Sequence, residues 1–110
     1  MVKVRVIVNN DKYYFRKTFE LDCAPEEDWL LKMANGRVTL KSCYICQDFD
    51  QNFIEVNCKA KLEDLAYLYL SNTGWEINDL EIFENDSAVH KAVKNIERDR
   101  ERIARLTKNG

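Results

Sequence analysis

The chain has 110 residues, of which 45% are apolar and 33% charged, and a formal net charge of −2. That profile excludes a disordered chain, and the near-neutral balance gives no bulk attraction to nucleic acid or to an anionic membrane. One domain spanning 1–110 is expected, of a size that buries roughly two-thirds of the surface exposed by the unfolded chain. No apolar run approaches the ~20 residues that a bilayer requires. The opening MVKVRVIVNN alternates charge with valine, as a strand does and a secretory leader does not. The expected compartment is therefore the cytoplasm, where the four cysteines stay reduced. No membrane contact and no cofactor is expected.

Val2, Val4, Val6 and Val8 have the period of a half-buried strand. Asn9, Asn10 and Asp11 supply a turn, and Tyr13 to Leu21 returns with Phe15 and Phe19 on one face. The stretch CAPEEDWLLKMANG predicts a helix. Pro25 suits its first position, three acids complement the dipole, Trp29, Leu30, Met33 and Ala34 form a stripe, and Gly36 stops it. Residues 37–46 and 53–58 predict a second hairpin around QDFDQN. Residues 62–70 predict a helix, with apolar positions on more than one side.

Trp75, Glu76 and Ile77 start a fifth strand. A bulge at Asn78 and Asp79 is expected to return Leu80 and Ile82 to the same face. Residues 86–108 predict a long charged helix, N-capped by Asp86 or Ser87. The expected fold is α+β: a mainly antiparallel sheet of about five strands in the order ββαββαβα. Helices pack on that sheet, and a long C-terminal helix ends the chain.

Cys43 and Cys46 form a Cys-x-x-Cys pair, and with Cys23 and Cys58 they are the candidate ligands of a zinc or thiol site. Strand alternation places Val38, Leu40, Tyr44 and Cys46 on one face and Cys43 and Ile45 on the other, so the two thiols are not expected to share a metal. No helix start follows to lower a thiol pKa, and the plainer reading is packing. A loop around Cys43 and Cys46 is the arrangement that would let all four cysteines meet.

Charge divides unevenly. Residues 1–85 carry ten basic and fifteen acidic side chains, and residues 86–110 carry seven basic and four acidic. In the terminal helix Val89, Val93, Ile96, Ile103 and Leu106 follow a three-four spacing, with Arg100 interrupting the seam. The plainer reading docks this helix on its own sheet. The sharper one makes it an arm that pairs with a protein partner or with a second copy, because a polar seam residue can set register. Two basic sets are candidate nucleic-acid contacts: Lys3, Arg5, Tyr14 and Arg16 on the outward face of the first hairpin, and Arg98, Arg102 and Arg105 on the helix.

His90 is the only histidine and has no nucleophile beside it in the sequence. The chain lacks a Gly-rich phosphate loop, a Gly-x-Ser-x-Gly and a His-Glu-x-x-His. The reading therefore leans away from catalysis, toward a small protein-binding or regulatory module. Such modules act by occupying a partner's surface, as phage and mobile-element inhibitors do.

Overall fold

The computed structural model describes residues 1–23, 25–34, 36–48 and 50–109, without the side chains of Cys43, Tyr44, Asp48 and residues 107–109. It is an α+β fold in which six strands form one mixed sheet and three helices follow or interrupt them. The strands are β1 (Val2–Asn9), β2 (Tyr14–Leu21), β3 (Leu30–Met33), β4 (Val38–Asp48), β5 (Phe53–Lys59) and β6 (Glu76–Ile77). The helices are α1 (Leu62–Ser71), α2 (Leu80–Asn85) and α3 (Ser87–Asn109). The sheet order is β3-β4-β5-β1-β2-β6. Four of the pairings are antiparallel, and only β1 with β5 is parallel.

The first hairpin forms where the valine period and the Asn10 turn predict it. Asn10 Oδ1 accepts the amide N–H of Tyr13 at 2.8 Å and that of Lys12 at 3.2 Å, which closes the turn without a glycine. Val4, Val6 and Val8 then share a buried face with Phe15, Val56 and Cys58. Leu65 and Leu68 of α1, Phe83 of α2 and Val89 of α3 pack on that same face. All three helices therefore lie on one side of the sheet. Helix α1 matches its expected span, and Asn72 ends it in the left-handed conformation.

Two expected elements differ. The described residues from Pro25 to Gly36 form no helix; at their centre is the edge strand β3, paired with β4 from Leu30↔Lys41 to Met33↔Val38. Ser42 supplies the physical reason. Its buried hydroxyl accepts the Trp29 N–H at 3.0 Å and donates to the Glu26 carbonyl at 2.6 Å. The Ser42 carbonyl takes the Asp28 N–H at 2.8 Å, so the groups that a helix would pair internally are paired to β4 instead. Leu31 and Met33 pack inward on a two-residue period, and Leu30 points outward, 66% exposed.

The second correction follows β6. No bulge restores the strand, because Asp79 adopts φ 52° and its carbonyl accepts the Phe83 N–H at 2.9 Å. The chain becomes the short helix α2, which leaves Leu80 and Ile82 exposed and buries Phe83 completely. The element order is thus βββββαβαα, not ββαββαβα.

Candidate functional site: the open face of the sheet

With the helices on the valine face, the opposite face of β1, β2 and β5 carries no helix among the described residues. Alternation sends Lys3, Arg5 and Ile7 of β1, Tyr14 and Arg16 of β2, and Glu55 and Asn57 of β5 to this side. A concavity of about 450 Å³ lies there, and Arg5, Ile7, Tyr14, Arg16, Glu55 and Asn57 supply much of its wall. Its size falls in the range of ligand-binding clefts.

The guanidinium carbon of Arg5 sits 4.1 Å from the centre of the Phe53 ring, a cation–π contact that holds the side chain along the floor. Arg16 donates from Nε to Glu76 Oε2 at 3.1 Å and makes a second contact to the same oxygen from Nη2. That hydrogen bond and its charge raise the Arg16 pKa and hold Glu76 below the usual carboxylate range. Asn57 Nδ2 donates to Glu55 Oε1 at 3.4 Å. Tyr14, 42% exposed, presents its ring at the rim. Lys3 does not join them; it lines a separate depression beside Gln47 and Phe53.

One end of the groove is tied to the helical layer through Asp86. Tyr13 Oη donates to Asp86 Oδ2 at 2.7 Å, Lys12 Nζ reaches the same oxygen at 3.0 Å, and the Ala88 amide donates to Oδ1 at 2.9 Å. The Tyr13 and Lys12 hydrogen bonds lead in lowering the Asp86 pKa from 3.8 to about 2. Burial, and then the bond to Asp86, push the Tyr13 phenol above its ordinary value. Because the folded Asp86 carboxyl is the stronger acid, its contribution is complete above the unfolded value of 3.8 and fades as pH falls toward 2. An Asp86→Ala variant, which loses the cap as well, is expected to melt about 4–8 °C lower at neutral pH. For Asp86→Asn, thermal melts from pH 6 to 2 should show the gap from wild type closing at the acid end. A gap that stays constant over that range would remove the charge from the explanation.

The seam proposed for partner binding divides in two. Val89 and Ile96 are fully buried in the body and Val93 is half-buried, so these three residues belong to the core. From Glu97 to Leu106 every position of α3 is exposed, with Ile103 at 41% and Leu106 at 67%. Arg100 and Ile103 border a concavity of about 320 Å³ with Ala34, Arg37 and Tyr67. Arg98, Arg102 and Arg105 lie on the outward side of the helix, where the one ion pair among the described residues is Arg102 to Asp99 at 3.8 Å. The radius of gyration is 15.6 Å, against about 13 Å for a compact chain of this length, as a projecting helix end requires.

The four cysteines are not gathered by what the structure describes. Cys58 is fully buried beside Ser42 on the core face, whereas Cys23 and Cys46 are exposed. The β4 register shifts between Ser42 and Tyr44, so the backbone of Cys43 is a bulge. This inverts the alternation expected from the sequence: beyond the bulge Ile45 turns toward Val56 in the core, and Cys46 lies opposite Glu55 on the open face. The thiol of Cys43 and the ring of Tyr44 lie outside the described residues. Among the described residues no group of three or more His, Cys, Asp or Glu side chains is placed to hold a metal ion. No helix among them is long and apolar enough to cross a membrane.

Sequence reasoning placed Arg5, Tyr14 and Arg16 on one face but missed Asn57, Glu55, Phe53 and Glu76. The missing signals were the parallel pairing of β1 with β5 and, for Glu76, the pairing of β2 with β6, which no local pattern encodes. No family model, no curated protein and no solved structure matches the chain.

Proposed function

We propose that this protein is a non-catalytic protein-binding module that recognises its partner through the open face of the sheet. The observation that carries this reading is the charge balance of the groove. Lys12 is paired to Asp86 and Arg16 to Glu76, which leaves Arg5 as the groove cation without an ion pair among the described residues. A polyphosphate strand is held by several uncompensated cations, and its affinity rises with their number. A protein epitope is held by aromatic and arginine anchors within a mixed polar rim, and that is the composition here. The module acts by occupying the partner's surface, in the manner of an inhibitor or regulator.

The test is quantitative affinity capture with wild type, a Tyr14→Ala/Arg5→Ala double variant and an Arg105→Ala control, each checked by circular dichroism. A partner held by wild type and by the control should be lost from the double variant, with Kd weakened about 30-fold or more, the size of a hot-spot truncation. Equal retention by the double variant overturns the assignment of the surface.

A second reading rests on α3. Lys91, Lys94, Arg98, Arg102 and Arg105 recur at three- and four-residue spacing, on the helix face opposite Val89 and Ile96. That stripe suits a nucleic-acid backbone, and the distinguishing property is salt. If it binds a labelled single strand, affinity should fall steeply between 50 and 200 mM salt. Protein recognition at the groove is expected to be far less sensitive.

A further inference from the structure

Strand β3 is one edge of the sheet, and among the described residues no strand pairs with its outer side. The Ser42 N–H donates to the Trp29 carbonyl at 2.9 Å, so Trp29 turns its backbone toward β4. By the alternation of an antiparallel ladder Leu31 and Met33 do the same, and Leu30 and Lys32 turn their N–H and C=O groups to the open edge. Exposed Trp29 and Leu30 accompany these unpaired groups. Such an edge is a template for another strand.

The flanking charges select that strand. Glu26, Glu27 and Asp28 precede β3, and Lys32 and Arg37 lie at its far end and beyond. Antiparallel pairing of β3 with itself sets the acids of each copy beside the bases of the other, whereas parallel pairing would set like against like. The Asp28 ion pair to Lys41, 3.3 Å long, has both side chains well exposed and holds Asp28 only weakly.

We propose that β3 pairs antiparallel with β3 of a second copy, about a two-fold axis through Leu31. Leu30 then exchanges both backbone hydrogen bonds with Lys32 of the second copy, and the symmetric pair does the same. On the open face the aliphatic stem of each Lys32 lies across the opposite Leu30, and the ammonium reaches toward the opposite acids. The axis runs perpendicular to the sheet, so both open faces point the same way. Two grooves then lie on one continuous surface, with the helices of both copies behind it. The pairing stands independently of what the groove binds; only the bivalent display depends on the groove reading.

The test is sedimentation velocity of the full chain over a concentration series up to about 1 mM, the range of a weak contact. Wild type should show a reversible monomer–dimer equilibrium. Lys32→Pro removes an outward N–H without touching the ladder to β4, so it should be monomeric throughout while keeping the wild-type circular dichroism. Lys32→Glu should also be monomeric, and mixing it with Glu26→Lys/Glu27→Lys should restore a mixed dimer. A wild type that stays monomeric at 1 mM overturns the proposal. So does a dimer that survives Lys32→Pro, or one that is lost in Leu106→Glu and kept in Lys32→Pro.

Discussion

A chain ending at Asn85 is expected to be unfolded. Removing α3 strips Val89 and Ile96 from the core, and each such side chain contributes about 1.5–3 kcal/mol when fully buried. It also removes half-buried Val93 and, with Asp86, the contacts that fasten the β1–β2 turn to the helical layer. The helix packs on α1 and on α2, so α1 would lose one of its covered sides. Together these losses compare with the ~5–15 kcal/mol by which a domain of this size is stable at all. Among the described residues, a chain ending at Arg98 loses only exposed side chains and should keep its stability within about 1 kcal/mol. Thermal melts and amide dispersion in NMR spectra distinguish the two truncations. A cooperative, well-dispersed 1–85 fragment would show that α3 is an appendage and not part of the core.

Phe83→Ala should be the most damaging single substitution. Phe83 is 0% exposed, and three other aromatic rings meet it: Tyr13 at 5.1 Å, Phe15 at 5.3 Å and Tyr69 at 5.4 Å between centroids. The Tyr13 and Phe15 contacts are edge-to-face, a geometry that adds about 0.5–1.5 kcal/mol per pair beyond burial. Truncation to alanine also leaves a cavity between β2, α1 and α2 that these rings cannot close without leaving their own positions. The expected cost is about 3–5 kcal/mol, read from urea melts with the m-value checked for two-state behaviour. Phe83→Leu keeps most of the volume, and should cost well under half as much. Equal costs for the two variants would mean that ring geometry, not the cavity, sets the value.

These two sites differ in how far the sequence discloses them. The α3 seam is visible as a three-four apolar period, and so is the N-capping aspartate, because both are local patterns on one helix. The importance of Phe83 is not visible. It stands in a stretch where Leu80 and Ile82 look like the strand residues to bury, and one left-handed residue, Asp79, reverses which side chain points inward. The same logic applies at residues 25–36. Pro25, three acids and an apolar stripe make a sound helix signal, but propensity is a weak prior, and a buried serine thirteen residues after Trp29 captures the backbone.

The candidate site shows the same division. Alternation along β1 and β2 is enough to put Arg5, Ile7, Tyr14 and Arg16 on one face, because a strand repeats every two residues whatever it pairs with. Whether that face is open or covered depends on which side the helices take, and its charge depends on Glu55 and Glu76, brought in by β5 and β6. The cysteine pair is a third case, since one extra residue at Cys43 inverts the faces that Ile45 and Cys46 take in β4.

The sequence by itself therefore determined the α+β class, the two main hairpins, helix α1, the span of the terminal helix and the sharing of one strand face by Arg5, Ile7, Tyr14 and Arg16. Each is specified by contacts within a few residues. Only the tertiary structure decided that β1 lies parallel to β5, that residues 30–33 form an edge strand, that Phe83 anchors the core and that Lys12 and Arg16 of the groove are ion-paired. Those outcomes rest on groups brought together from distant parts of the chain, where hydrogen-bond satisfaction and burial outweigh local preference.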